Sequence, residues 1–316
     1  MSKFFERAIY QQFIDYFDSI FNPYLSAFRP GYGCNTALLK VIEDWKKAVN
    51  NLYVAAVFMD LSKGFDCLPH DLLLLKLKVY SLSENALNLT DDYLSNRKQC
   101  VKVGNYFSTW QNIYKGVPQG SILGPVLFNV FLNDIFNFVK EYKLYNYADD
   151  NTLSHSGPDL DGLVKSLEKE SAILIDWFAN NKMKANPDEF QAIAIGNKSK
   201  NGDIKFNLDG NEILCENEVK LLGVTIDCQL KFNTHISEIC KKKVSRQLNV
   251  LKRIRKHLSK LGRLTIYHSY IMSNFNYCPV VWNFCWKVIL KKRKRYKNMP
   301  RSLSMSILIM IMILFC

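Results

Sequence analysis

The sequence predicts a mixed α/β fold of the α+β kind, and three observations predict it. The apolar run Leu52–Met59 is of strand length, carries no charge and ends in Asp60, the pattern of a strand buried on both faces. Short apolar segments, Lys143–Tyr147 and Asn151–Ser154, flank the pair Asp149-Asp150, which reads as strand, tight turn, strand. Longer stretches carry helical periodicity, as in Leu160–Asn180 with Leu163, Leu167, Leu174, Trp177 and Phe178 on one face. At 316 residues the chain exceeds the size at which one core keeps growing, so at least two subdomains are expected.

Taken in order, the chain opens with an amphipathic helix around Phe4, Phe5, Ile9, Phe13 and Phe17. The strand Leu52–Met59 follows, then helices from His70 to Tyr93. Lys115–Pro125 is rich in Gly and Pro and runs straight into an apolar helix, so Ser121–Val139 is expected to be helical. After the 149–150 turn and the helix Leu160–Asn180 come strands at Gln191–Ile195, Ile204–Leu208 and Glu212–Thr225, with Asp209-Gly210 as a hairpin turn. Beyond Asp227 the pattern is helical.

The carboxylates carry the chemistry. Neighbours on a strand point to opposite faces, so Asp149 and Asp150 can serve one point only if the turn re-aims one of them. Paired acids at a turn are commonly no more than solvated. Asp60, at the end of a buried strand, is either a solvated end residue or a ligand. Were Asp60 to sit beside the 149–150 turn, the like charges would repel and raise one another's pKa, and a hard divalent cation, Mg²⁺ above all, is the usual remedy. Two such ions about 3.5–4 Å apart can activate an attacking oxygen and neutralise a leaving one. In Lys115–Pro125 the glycines let backbone amides approach a ligand, and the helix start favours negative charge. Its bland alternative is an ordinary loop before a helix.

In this order the segments resemble the reverse transcriptase domain of non-LTR (LINE-type) retrotransposons. Asp60–Asp66 resembles the first palm motif of that family, Gly116–Gly124 the second and Tyr147–Asp150 the third; Phe28–Cys34 resembles the fingers motif and Lys220–Val224 the primer-grip hairpin. The similarity runs from about Ser2 to about Cys285. The resemblance implies a right-hand polymerase with fingers, a palm of antiparallel sheet backed by helices (Ser121–Val139 and Leu160–Asn180) and a helical thumb. The implied boundaries are fingers at 1–51, palm at 52–69, a fingers/palm insertion at 70–114, palm with primer grip at 115–227, thumb at 228–286 and a basic then apolar tail at 287–316.

The implied activity is RNA-directed DNA polymerisation, in which a primer 3′-hydroxyl is extended with dNTPs by a two-metal mechanism. Its partners would be an RNA template, a DNA primer and dNTPs, with no membrane, and its cofactor two Mg²⁺ ions, with Mn²⁺ as a substitute. Asp60 and Asp149 would hold both ions, with Asp150 secondary and Leu61 also in the metal set. Arg29 would clamp the triphosphate, Gln119 and Gly120 would line the nucleotide pocket, and Phe65 would be the steric gate under the sugar. Against these stand a surface arginine, a loop amide and a core phenylalanine. Leu221, Leu222 and Gly223 would form the primer grip. Two departures from the family matter: Gly64 where alanine is usual, and Asp188-Glu189 after Asn186-Pro187 where a lysine, thought to protonate the departing pyrophosphate, is commonly found.

Charge points to the same partners. The formal net charge is +13; Thr234–Lys260 carries +8, Lys287–Arg301 another +8, and the remainder is slightly acidic. Within the first block Ile236, Ile239, Val244, Leu248, Leu251, Ile254 and Leu258 recur near helical spacing. It therefore reads as a helix with one buried face, whose Lys241, Lys242, Lys243, Arg246, Lys252 and Arg253 grip phosphates or are merely solvated.

Nine scattered cysteines without a CxxC pair argue for free thiols in a reducing intracellular compartment, cytoplasm or nucleus, and against a zinc knuckle. Cys278, Cys285 and His268 match no familiar metal spacing. Ser2–Ile20 is too polar for a signal peptide, and Ser306–Cys316 falls short of the roughly 20 residues of a membrane span. The resemblance ends near Trp286, and the tail reads as a truncated or frame-shifted end, unfolded or prone to aggregate. With no endonuclease or RNase H extension, the chain reads as a fragment or degenerate product, which keeps open a second function: a catalytically inactive retroelement remnant that only binds nucleic acid.

Overall fold

A computed structural model of the protein describes residues 2–196, 204–279 and 281–282. Its elements are α1 (Ser2–Phe17), α2 (Cys34–Ala48), β1 (Tyr53–Met59), α3 (Gly64–Cys67), α4 (His70–Val79) and α5 (Glu84–Leu94). Then come the short strands β2 (Lys98–Gln99), β3 (Lys102–Val103), β4 (Tyr106–Phe107) and β5 (Gln111–Asn112), followed by α6 (Gly124–Leu132), β6 (Lys143–Tyr147), β7 (Asp150–Gly157) and α7 (Leu160–Asn180). The strands β8 (Gln191–Ile195), β9 (Lys205–Leu208), β10 (Asn211–Leu214), β11 (Glu218–Leu221) and β12 (Val224–Asp227) precede the helices α8 (Asn233–Ser237), α9 (Ser245–Ile254), α10 (Lys260–Ile266) and α11 (Ser273–Asn276). Cys285 and the basic and apolar tail from residue 287 lie outside the described residues.

The unbroken apolar run becomes the inner strand of the site-bearing sheet. The order is β6-β7-β1-β8, with every pairing antiparallel. Because side chains alternate along a strand, Ala55, Val57 and Met59 enter a core built with α1, α4, α6 and α7. Val54, Ala56 and Phe58 enter a second core with α2, the β11–β12 hairpin and Cys278 and Val281. A sheet covered on both sides can use apolar residues at every position, which is why β1 shows no alternation in its sequence. The continuing alternation puts Asp60 on the side of Phe58, towards the β11–β12 hairpin.

Three expected elements differ in form. Only the second half of α1 is buried: Phe13, Ile14 and Phe17 pack in the core while Phe4 and Phe5 are 85% and 59% exposed. The helix expected over Ser121–Val139 stops at Leu132 and tightens into a 3₁₀ turn at Asn133–Asn137. There the Asn133 amide donates to the Ile20 carbonyl (3.3 Å) and to the Tyr80 hydroxyl (3.1 Å) and accepts from the Asn22 amide (2.8 Å). These bonds tie the helix end to neighbouring segments. The expected strand Glu212–Thr225 is cut into β10, β11 and β12: after Leu214 the Cys215 and Glu216 N–H groups donate to the Ile204 and Ala192 carbonyls, and Leu222 and Gly223, both at positive φ (45° and 78°), turn the chain between Leu221 and Val224.

The C-terminal basic block is not one regular helix. A π-helical turn at Glu238–Val244 and a 3₁₀ turn at Arg255–His257 interrupt it, a second π-helical turn follows it at Tyr267–Met272, and Val244 packs with Ile271, Phe275 and Trp282 in a small core. Among the described residues, no helix is long and apolar enough to cross a membrane.

Candidate active site

Asp60 leaves the end of β1, and Asp149 and Asp150 leave the β6–β7 turn beside it. The register Met59↔Asn151 and Tyr147↔Asp150 makes Ala148-Asp149 a two-residue loop, with Ala148 at φ 58°. Glycine is the residue that reaches such a φ without strain; an alanine there costs of order 1–2 kcal/mol. Buried amides hold the turn in that shape: Asn146 Nδ2 donates to the Ala148 carbonyl (2.8 Å) and to Asn151 Oδ1 (3.0 Å), and Asn151 Nδ2 donates to the Asp149 carbonyl (2.9 Å). The turn thus supplies the re-aiming that two adjacent strand carboxylates need. Asn146 and Asn151 were not singled out in the sequence, and their only signal there is polarity inside a buried strand pair.

The three carboxylates lack cationic partners: among the described residues none forms an ion pair with Lys or Arg. The pKa of Asp60 is pushed up to about 6 by desolvation and then by a hydrogen bond and charge from Glu189, against a backbone N–H of Leu61 that lowers it. Asp149 is raised by burial and by Asp60. Asp150, on the rim, is pushed up to about 6 by desolvation and then by the charges of Asp149 and Asp60. Crowded carboxylates of this kind are the donor chemistry a hard divalent cation meets. Among the described residues no three acidic, His or Cys groups close a metal cage, so an ion held there would complete its shell from water and ligand oxygens, as Mg²⁺ commonly does. Leu61 is bridged to Ala185 through its neighbours, Ser62 N–H donating to the Lys184 carbonyl and Asn186 N–H to that of Asp60. That pairing leaves the Leu61 carbonyl out.

A cleft of about 470 Å³ opens over Asp60 and Asp150 and is closed on its far side by Lys220, Leu221 and Leu222 of the β11–β12 turn. Leu222 also receives the Tyr277 hydroxyl on its carbonyl at 2.5 Å, so the C-terminal helices touch the hairpin tip. Glu189, of the Asp188-Glu189 pair that stands where the resemblance implies a lysine, lies against Asp60. The substitution therefore adds negative charge to this cleft.

The Gly/Pro-rich loop is fastened to the chain just after Asp60. Gly116 N–H donates to the Leu68 carbonyl (2.6 Å) and Val117 N–H to that of Phe65 (3.0 Å). His70 Nε2 meets the Gly116 carbonyl at 2.7 Å, and Gln119 Nε2 donates to Asp66 Oδ1 at 3.1 Å. A Cβ on Gly116 would stand 2.7 Å from the Asp66 carbonyl oxygen, and its φ is 84°. A second cleft of about 670 Å³ lies here, lined by Gln119 and Asp66 together with Lys63, Arg97, Lys98 and Lys115. Those four cations were not singled out in the sequence.

Three expectations change form. Arg29 does not face either cleft: its guanidinium is buried, donating to the carbonyls of Asn22, Leu25 and Asp18 at 3.0–3.2 Å and pairing with Asp18 Oδ1 at 3.1 Å. Those bonds knit the turn after α1 and leave no free fork for a triphosphate. The helix start after Gly120 is occupied, because Glu6 accepts the Ile122 N–H at 2.7 Å and Ser121 Oγ accepts that of Gly124 at 2.9 Å. Phe65 lies flat on Phe128, with centroids 4.1 Å apart and planes at 20°, and meets Phe28 edge-on at 5.7 Å. Half-buried, it packs against the edge of the core. Next to it, a Cβ on Gly64 would meet Phe128 Cζ at 3.2 Å and Asp149 Cβ at 3.6 Å, so an alanine there would crowd the Phe128 ring and only touch the turn.

Lys241, Lys242, Lys243, Arg246, Lys252 and Arg253 all lie on the C-terminal helices, and all six are exposed. Of the six, only Lys242 forms an ion pair among the described residues, with Glu238 at 3.0 Å.

The comparisons with known proteins agree with this geometry. Residues 1–226 match the family "Reverse transcriptase (RNA-dependent DNA polymerase)", and the chain belongs to that family. It is 25% identical over 308 residues to the probable RNA-directed DNA polymerase from transposon X-element of Drosophila melanogaster, a match covering 94% of this chain and 34% of that one. It is 28% identical over 221 residues to the RNA-directed DNA polymerase from mobile element jockey of the same species, covering 67% and 24%. The chain thus spans about a third or less of these relatives. Coverage of 94% also carries the similarity past Trp286, the expected end of the resemblance. Among solved structures, apo telomerase from Candida tropicalis superposes with a TM-score of 0.53 at 11% identity, covering 92% of this chain and 51% of that one. The fold is that of a right-hand polymerase with a palm sheet, fingers and helical thumb.

Proposed function

We propose that the chain is the polymerase module of an RNA-directed DNA polymerase, extending a DNA primer on an RNA template with dNTPs. The observation that carries the reading is the placement of Asp60 and the Asp149-Asp150 turn, without cationic partners, across a cleft from the tip of the β11–β12 hairpin. Asp60 and Asp149 would hold two Mg²⁺ ions, or Mn²⁺ in their place, with Asp150 and the Leu61 carbonyl in supporting positions. The ions supply a lowered pKa for the primer hydroxyl and neutralisation of the leaving pyrophosphate.

The rest is positioning by the chain itself. Leu221, Leu222 and Gly223 would carry the primer end against the carboxylates, Gln119 and Gly120 would border the incoming nucleotide, and Phe65 would stand against its sugar. The cations Lys241–Lys243, Arg246, Lys252 and Arg253 would neutralise backbone phosphates of the primer–template duplex. In this reading the fingers comprise 1–51, the palm 52–69 and 115–227 with a fingers/palm insertion at 70–114, and the thumb 228–286. The test is extension of oligo-dT on poly-rA by the purified chain with Mg²⁺, Mn²⁺ or EDTA. Product that depends on divalent metal and disappears in Asp149→Asn supports the reading; product of equal yield in Asp149→Asn refutes it.

A further inference from the structure

The segment from Arg97 to Lys115 forms a free-standing arm. Its two chains are zipped from Ile113 N–H on the Arg97 carbonyl, through β2–β5 and Ser108 N–H on the Val101 carbonyl, to β3–β4. The arm ends in the two-residue turn Gly104-Asn105, with Gly104 at φ 61°. Every residue from Val101 to Asn112 is exposed. A two-stranded ribbon that buries nothing is marginal by itself, yet this one displays Tyr106, Phe107 and Trp110 at 83%, 64% and 67% exposure. Arg97, Lys98 and Lys102 precede them and Lys115 follows, Lys102 Nζ lies 5.0 Å from the centre of the Phe107 ring, and no acid occurs between 97 and 115. Its root forms one wall of the cleft that holds Gln119.

Exposed rings flanked by an excess of cations are the surface on which a single-stranded polynucleotide is held, bases stacking on the rings and phosphates meeting the cations. A protein partner matched to such rings needs no excess of positive charge, and a duplex hides its base faces. We infer that the arm binds the unpaired RNA template ahead of the nucleotide site and delivers it past Gln119. This inference rests on the polymerase reading for the direction of the strand, and on the arm alone for the binding.

The test measures anisotropy of a labelled RNA–DNA hybrid on the full chain, blunt or with a short unpaired 5′ RNA extension, for the wild type and for the triple variant Tyr106→Ala/Phe107→Ala/Trp110→Ala. The extension should tighten wild-type binding, and the variant should lose that gain by about tenfold or more, with the blunt hybrid bound equally by both. Because the rings are exposed, the melting temperature should not move. An equal gain from the extension in both proteins overturns the inference, as does an arm-dependent dimer on a sizing column with RNA affinity unchanged. Wild-type protein that fails in primer extension but shows arm-dependent RNA binding refutes the polymerase reading alone; normal extension with an arm-independent gain refutes the arm alone.

Discussion

Substituting Gly116 tests whether the Gly/Pro-rich loop is held by close backbone approach. Gly116 and Gly120 both sit at positive φ, 84° and 75°, and differ in surroundings: a Cβ at 116 meets the Asp66 carbonyl oxygen at 2.7 Å and its Cα at 2.9 Å, whereas at 120 nothing lies within 4 Å. In Gly120→Ala only the left-handed backbone is penalised, about 1–2 kcal/mol. Gly116→Ala adds a clash with backbone that cannot rotate away, about 1–3 kcal/mol by analogy with overpacking. Relief of that clash would stretch the Gly116–Leu68 and Val117–Phe65 hydrogen bonds, at about 1 kcal/mol each. Clash or relief, the difference between the two variants should thus be about 1–3 kcal/mol by urea unfolding, and Gly116→Ala should also lose extension activity because Gln119 moves away from Asp66. Equal destabilisation in the two variants would refute the packing argument.

Asp60→Asn and Asp149→Asn should abolish extension with binding of primer–template retained, and Asp150→Asn should be milder; near-normal rates in Asp149→Asn would exclude it from the metal set. Asp150, raised to about 6, keeps its proton in the folded state to a higher pH than when unfolded, so its carboxylate penalises the fold as pH rises from about 4 to about 6. In EDTA, Asp150→Asn should therefore raise the melting temperature at pH 8 and leave it unchanged at pH 3.5. Neutralising Lys241, Lys242 and Lys243 should flatten the slope of log affinity against log salt, by at most about 0.9 for each duplex phosphate that no longer meets a cation; an unchanged slope assigns them to solvent. Phe65→Ala should raise ribonucleotide use if the ring gates the sugar, or lower stability by about 3–5 kcal/mol with equal loss for both sugars if the stack on Phe128 is its whole role.

What was legible in the sequence is what short-range pattern determines. The run before Asp60, the 149–150 turn and α7 each announce themselves by apolar period and boundary, and each lies where its residues indicate. Interactions decided by a distant partner left no local mark. Arg29 reads as a surface cation until the turn after α1 folds around it, and the helix start after Gly120 reads as an anion site until Glu6, from α1, fills it. Asp188-Glu189 was visible as a departure, but its approach to Asp60 depends on how the Pro187 turn leads into β8. The Arg97–Lys115 arm gives no signal in the sequence because two-residue strands are too short to show a period.

Electrostatics divides the labour between the two clefts. The cleft over β1 is lined by Asp60, Asp150, Asp188, Glu189 and Glu216 against a single lysine, Lys220. A triphosphate or a primer backbone brought there alone would meet like charge on nearly every side, at a cost that grows as water is excluded. Polyanionic substrates can enter only with cations between them and that wall, so on the polymerase reading metal occupancy is a condition of substrate binding there as well as of chemistry. The cleft at Gln119 has the opposite character, four cations against Asp66, and can receive phosphates directly. The two are joined by the chain from Asp60 to Asp66, whose Phe65 carbonyl and Asp66 carboxylate are the groups that hold Val117 and Gln119. A nucleotide spanning that link would place its phosphates against metal on one side and its neighbouring template strand against lysine and arginine on the other. Removing metal should then weaken binding of dNTP far more than binding of single-stranded RNA.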